Sequence, residues 1–163
     1  MFTRRAFLAG ASMVALTACS SKFRSYDGPP VTTVVVYKGR RRLYLLHEAQ
    51  VLRAFDFELG FAPEGHKQIE GDGRTPEGAY LIDRKNPNSS FHLSVGISYP
   101  NADDRAKARA LGQPPGGDIF IHGTPVLNRG DADWTAGCIA VTNREIEDIY
   151  AMVEVGTPIL IYP

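Results

Sequence analysis

The chain has 163 residues, and its 18 lysines and arginines are balanced by 18 aspartates and glutamates. That balance, with no basic stripe anywhere, excludes the electrostatic footprint of a nucleic-acid binder. A hydrophobic content of 44% over this length supports one ordinary domain with one core.

The first 18 residues read as an address rather than as fold. Thr3-Arg4-Arg5 is a positive start with a twin arginine, and an apolar run from Ala6 to Ala18 follows. That run is too short to span a bilayer as a stable helix. Leu16-Thr17-Ala18-Cys19 resembles a bacterial lipoprotein signal, in which the cysteine is lipidated and becomes the first mature residue. A plain secretory signal cut after Ala18 and an uncleaved anchor are the alternatives. The twin arginine resembles the export signal of folded proteins. Processing after Ala18 leaves 145 of the 163 residues, with 16 basic and 18 acidic side chains and a formal charge of −2. With Cys19 lipidated, Cys138 is the only free thiol, and no disulfide forms within the chain. Triacylation supplies more than one lipid chain, so attachment to the membrane would be stable. Ser20-Ser21, with no aspartate after the cysteine, favours the outer membrane by resemblance to enterobacterial sorting. The expected location is therefore the cell envelope, facing the periplasm.

Residues 19–30 read as the lipidated cysteine and a polar tether ending in Gly28-Pro29-Pro30. From Val31 the pattern becomes strand-like. Val31–Tyr37 is rich in β-branched residues, Lys38-Gly39-Arg40 turns the chain, and Arg42–His47 returns. Val51–Leu59 gives a third run. The Gly- and Pro-rich stretch from Gly60 ends in Gly71-Asp72-Gly73-Arg74-Thr75-Pro76-Glu77-Gly78. It fits no phosphate-loop spacing and leads into a strand at Ala79–Ile82, so it reads as a turn. Phe91–Tyr99 is a further strand. Asp103–Leu111 is a short helix, with Asp103 and Asp104 at its positive end and Gly112 at its stop. Asp118–Ile121 is a strand that closes at His122-Gly123. Thr142 and Glu145 form a capping box, followed by an apolar helical face of Ile146, Ile149, Tyr150 and Val153. Gly156-Thr157-Pro158 breaks this helix, and Ile159–Tyr162 is a last strand. The prediction is a mainly antiparallel β fold with one longer and one short helix.

The chemistry concentrates at Cys138. A thiol beside glycine and small residues, with a histidine 16 positions upstream at His122, is suited to nucleophilic acyl transfer. Gly137 lets a substrate or another backbone approach without a Cβ in the way. Amides of a tight turn at Gly137 and Cys138 could hold an oxyanion. His122 ends a strand, and its second ring nitrogen needs an acceptor, for which the Gly123 carbonyl is one choice. Thr135 is placed to hydrogen-bond the active-site loop. Zinc would need three or four ligands with recognisable spacing, and Cys138 with His122 supplies two. No metal or cofactor is expected.

His122-Gly123 followed by Thr135-Ala136-Gly137-Cys138 resembles the YkuD-type L,D-transpeptidase family. The Thr75-Pro76-Glu77-Gly78 strand entry and the Ser94–Pro100 run agree with it, so the resemblance covers residues 31–163. It implies a YkuD-like β-sandwich catalytic domain acting on peptidoglycan stem peptides. In that scheme His122 takes the proton of Cys138, and the thiolate attacks a meso-diaminopimelate carbonyl. A thioester then passes to an amine or to water. The chain departs from the family's common pattern at Ala140, where many members carry arginine. Gly137-Cys138-Ile139-Ala140-Val141-Thr142-Asn143 resembles a murein subgroup that includes hydrolases, one of which releases a lipoprotein from its amide link to peptidoglycan. Transpeptidase and hydrolase both stay open, and a murein-linked lipoprotein is a possible partner. A wall-binding module with a decayed site is a third reading, disfavoured by the intact His122, Gly137 and Cys138. The resemblance also puts His92 and Tyr99 towards the cleft. Arg74 and Lys85 are candidates for binding a stem carboxylate. Trp134, next to the motif, either walls the groove or packs in the core. His47 and His66 read as surface residues.

Overall fold

The computed structural model describes residues 21–163. The signal and the Cys19 lipidation site therefore lie outside the described residues. A continuous β-branched run builds β1 (Thr33–Tyr37), which pairs antiparallel with β2 (Arg42–His47), itself antiparallel to β3 (Gln50–Asp56). On the other side, β1 runs parallel to the last strand, β8 (Pro158–Tyr162), which pairs antiparallel with β4 (Gly78–Asn86). The sheet continues through β5 (Ser94–Ile97) and β6 (Phe120–His122) to a two-residue β7 (Ile139–Ala140), in the order β3-β2-β1-β8-β4-β5-β6-β7.

The sandwich is one sheet curled over itself. β4 is shared between the halves, pairing through Gly78–Leu81 with β8 and through Ile82–Asn86 with β5. An irregularity between Ile82 and Arg84 marks the change, as bulges do where strands bend. The two ends of the sheet also meet. The chain just past β3 exchanges Glu58 N–H to Ala140 O and Ala140 N–H to Glu58 O, each at 2.8 Å. The concave side holds Val34, Val36, Leu43, Leu45, Ile159 and Ile161, all buried. Each such side chain contributes on the order of 1.5–3 kcal/mol relative to exposure.

Two helices cover the open parts of the sheet. In α1 (Ala102–Ala110), Asn101 caps the amides of Asp103 and Asp104, and Asp104 accepts from the Asn101 amide in return. Asp104 also accepts from the Tyr80 hydroxyl at 2.9 Å, tying the helix to β4. In α2 (Asn143–Met152), the Thr142–Glu145 capping box forms as its sequence dictates, and Ile146 and Ile149 enter the core. No helix among the described residues is long and apolar enough to cross a membrane.

The mainly antiparallel β architecture agrees with the sequence reading, and three details differ. The helices are nearly equal, with 9 and 10 residues, because Val153 is already extended. Gly156 N–H donates to Ile82 O and Ile82 N–H to Thr157 O, which pulls the chain straight back to β4. Five strand pairs are antiparallel, as expected, and β1–β8 and β6–β7 are parallel. The expected strand at Phe91–Tyr99 forms only over Ser94–Ile97. At Phe91 the carbonyl turns to accept from the Leu93 and Gly123 amides, both at 3.0 Å, and His92 takes φ +74°. The expected strand at Asp118 begins at Phe120, since Asp118 lies at φ +53°.

Candidate active site

β6 and β7 bring the two candidate residues to one cavity. They run parallel with Ile121 opposite Ile139 and His122 opposite Ala140. Cys138, one step before β7, thus falls level with Phe120, and His122 lies two residues further along the same face. Both line a cavity of about 270 Å³, whose other walls include Asp118 and the β4–β5 loop at Ser89, Ser90 and Phe91. Cys138 is partly buried, with Sγ 3.5 Å from the Asp118 carbonyl.

The turn before Cys138 is held from both sides. Gly137 lies at φ +124°, and a Cβ there would sit 2.5 Å from the Arg74 carbonyl. Thr75 Oγ1 donates to Gly137 O at 2.8 Å. Thr135 Oγ1 donates to Cys138 O at 2.8 Å and accepts from the Gly137 amide at 3.2 Å, so one hydroxyl spans the turn. Gly60 supplies the space beneath. A Cβ on Gly60 would run into the Gly73 carbonyl and sit 2.7 Å from Gly137 N. Backbone cannot yield as a flexible side chain does. Gly60→Ala is therefore expected to cost about 3 kcal/mol or more by overpacking, and to shift the Cys138 turn. A thermal melt with Cys138 alkylation rates checks this; a wild-type melt with wild-type reactivity would refute it.

His122 is 3% exposed. Its Nδ1 lies 2.7 Å from Gly123 O, a carbonyl that can only accept, so Nδ1 carries the proton and Nε2 is the basic nitrogen. Phe91 stacks on the ring at 4.5 Å between centroids, with 26° between planes, and Trp134 meets it edgewise at 5.6 Å. Burial pushes the His122 imidazole below its ordinary value, and the Gly123 bond opposes this. Burial pushes the Cys138 thiol up, against a hydrogen bond from the Phe120 backbone. Both groups are thus held neutral, as a thiol–imidazole pair suited to proton transfer at the moment of attack.

These shifts predict how stability depends on pH. Between the depressed His122 value and its ordinary 6.5, the unfolded chain binds a proton that the native state does not. Stability is therefore full above pH 6.5 and falls as the pH drops below it. Above the ordinary thiol value of 9.0, the unfolded chain releases the Cys138 proton first, so stability falls again as pH rises. Melts from pH 5 to 10 on the wild type and on His122→Gln separate the acid arm; an acid arm equally steep in both assigns it elsewhere.

The other sequence candidates are dispersed. The Gly123 amide donates to Phe91 O, which couples the His122 strand end to the β4–β5 loop. Tyr99 is buried, donates to Pro115 O at 3.0 Å and packs against Tyr80, and burial raises its hydroxyl to about 12. His92 Nε2 faces Glu147 Oε1 at 2.8 Å. Lys85 lies over the Tyr150 ring and 3.7 Å from Glu154. Arg74 is partly buried and gives the turn its carbonyl. None of the side chains of Tyr99, His92, Lys85 and Arg74 lines the cavity with Cys138. His66 is half-buried rather than free at the surface, its Nδ1 accepting from the Glu77 amide at 2.9 Å and its Nε2 lying 3.1 Å from Asp104 Oδ1. Trp134 is partly buried and outside the core, meeting His122 edge-on and lining not the Cys138 cavity but a separate groove of about 770 Å³. Cys138 and His122 do not line that groove, so its size carries no weight for the chemistry. Phe91, Thr75 and Gly60 were missed as site residues. Thr75 lies in the Thr-Pro motif, whereas nothing in the sequence marks Phe91. No group of three or more His, Cys, Asp and Glu side chains able to hold a metal occurs among the described residues.

The model of the YkuD family, the L,D-transpeptidase catalytic domain, matches residues 31–161. This chain belongs to that family. Its YkuD domain is 31% identical over 132 residues to YafK of Escherichia coli strain K12, provisionally named an L,D-transpeptidase, covering 77% of this chain and 48% of YafK. Among solved structures it resembles the helical cell shape determining protein Pgp2 of Campylobacter jejuni, with 27% identity and a TM-score of 0.62, over 79% of this chain and 46% of Pgp2. It also shares its fold with an L,D-transpeptidase of Mycobacterium smegmatis, with 18% identity and a TM-score of 0.56, over 82% and 59% of the two chains. The chain thus spans about half the length of YafK and Pgp2.

Proposed function

We propose that this YkuD-family protein is an exported cysteine acyl-transfer enzyme acting on peptidoglycan stem peptides through a Cys138 thioester. The observation that carries the reading is the shared cavity of Cys138 and His122, with His122 Nδ1 committed to Gly123 O and Nε2 left as the base. Nε2 takes the Sγ proton as sulfur bonds to the carbonyl carbon of a stem-peptide diaminopimelate. Amides of the Gly137–Cys138 turn receive the oxyanion. The C–N bond then breaks, and the amine leaves with the proton held on His122. A second amine, or water, attacks the thioester, and the thiol is restored.

A hydrolytic outcome is the second reading, and Ala140 favours it. Its side chain is 1% exposed, and its backbone is tied to Glu58 on both sides. The position that carries arginine in many relatives thus offers no cation to an acceptor peptide. Purified sacculi, with and without attached lipoprotein, distinguish the outcomes by mass spectrometry. New cross-links or exchanged terminal residues identify a transpeptidase. Lost protein or shortened stems without new bonds identify a hydrolase. No change in either, with Cys138 still open to alkylation, overturns the reading.

Location is part of the same proposal. Lipidation at Cys19 would hold the domain at the envelope membrane facing the wall, with the outer membrane favoured. Labelling with a fatty acid that fails on Cys19→Ser supports it; a wholly soluble wild type rules it out.

A further inference from the structure

We infer that Lys22 and Arg24, in the segment that precedes the catalytic domain, clamp the β4–β5 loop and thereby position Phe91 over His122. The inference rests on reading His122 as the general base, and adds a device that the chain carries outside residues 31–161, the stretch matched to the family.

The loop between β4 and β5, residues 87–93, forms one wall of the Cys138 cavity through Ser89, Ser90 and Phe91. Its inner side is anchored at one end, where the Gly123 amide donates to Phe91 O at 3.0 Å and Leu93 O at 3.3 Å. Otherwise it is held by short-range bonds, from the Leu93 amide to Phe91 O, the Phe91 amide to Ser89 Oγ and the Asn88 amide to Asn86 Oδ1. Phe91 is 39% exposed, so core packing alone does not hold its ring against His122. The outer side is held from the N-terminal segment. Lys22 Nζ donates to Pro87 O at 2.6 Å and to His92 O at 3.1 Å, bridging the two ends of the loop.

A second link reaches the same place by another route. Arg24 donates to Glu147 Oε2 through Nε at 2.9 Å and Nη2 at 2.7 Å, and to Asp148 through Nη1 at 2.7 Å. The other oxygen of Glu147 faces His92 Nε2 at 2.8 Å. His92 itself sits at φ +74°, a left-handed backbone that disfavours any side chain and needs outside support. The two links thus grip residues 87 and 92, on either side of Phe91. A single exposed ion pair adds little to overall stability. Three bonds onto one short loop, one of them backed by Arg24 through Glu147, instead choose among loop positions, and that choice determines whether the His122 ring is covered. His92, which the family resemblance pointed towards the cleft, acts in this scheme as a positioning residue gripped from outside.

The test uses Lys22→Ala/Arg24→Ala in the full chain, with Phe91→Ala as the reference for a lost cover. The readouts are the His122 titration by NMR and the iodoacetamide rate of Cys138, both taken without substrate. Either can therefore succeed or fail independently of the reaction on murein. Both variants are expected to move the His122 titration upwards towards its ordinary value, since less of the ring is buried. The double variant should keep its melting temperature within about 2 °C, and turnover should fall by about tenfold as the base loses its placement. Lys22→Arg, which keeps its donors, should titrate as the wild type. A double variant that titrates as the wild type overturns the clamp. So does one that changes only through a large loss of melting temperature, and so does a Phe91→Ala protein whose His122 is unmoved.

Discussion

Cys138→Ala is expected to lower acyl transfer by about 10⁴-fold or more while leaving the fold intact. The thiol forms the bond that carries the acyl group, and alanine has no atom to replace it. The structural loss is small by comparison. Sγ makes one long contact, 3.5 Å to the Asp118 carbonyl, and the turn is held by Thr75, Thr135 and Gly137 rather than by the side chain of Cys138. Losing one weak hydrogen bond costs on the order of 1 kcal/mol or less. Product formation on sacculi, followed by mass spectrometry beside a thermal melt, checks both halves. Activity within tenfold of the wild type would falsify the thioester route. A collapsed melt would instead make Cys138 a packing residue.

His122→Gln is expected to cost about 10³-fold at neutral pH, with a changed pH profile. Glutamine can still donate to the Gly123 carbonyl and occupies part of the slot between Phe91 and Trp134, so the strand end keeps a partner. What it cannot do is accept the thiol proton. Burial already holds the Cys138 thiol above its ordinary 9.0, so without a base little thiolate exists at pH 7. The variant should therefore gain rate steadily as the pH climbs past 9.0, whereas the wild type should be active once His122 is neutral, from below pH 6.5. Rate–pH profiles of the two proteins test this. A variant whose profile is parallel to the wild type at every pH would remove His122 from proton transfer and leave it a framework residue.

Much of the β architecture was legible because its signals are local. Leu43 and Leu45 are buried on either side of the partly exposed Tyr44, as strand alternation dictates, and the β-branched run Val34–Val36 is buried throughout. The Thr142–Glu145 capping box needs only its own turn of helix, and it forms where the residues stand. The strand at Phe91 was misjudged for the converse reason. Phe91 and His92 have no local signal against extension. Phe91 is turned by the Gly123 amide, a partner 32 positions away in sequence, and His92 is held by Lys22 at a separation of 70.

The same division runs through the candidate site. Cys138, Gly137, Thr135, His122 and Gly123 announce themselves by type and spacing, since a thiol beside a glycine and a histidine after a β-branched strand are chemical facts of the chain. Their support does not. Gly60 matters because the chain after β3 crosses beneath the Cys138 turn, and Phe91 because one loop folds back over the imidazole. Tyr99, expected at the cleft, is drawn inward by Tyr80 and the Pro115 carbonyl. The amino-acid sequence by itself marked the candidate pair, most of the strands and the helix caps, because each is signalled by residue types and short spacings within one stretch of chain. Only the tertiary structure decided what encloses the pair, how the sheet closes through Glu58 and Ala140, and which loop covers the base. Those depend on backbone groups meeting across tens of residues, where the pairing is set by the path of the chain and not by the identity of the residues that meet.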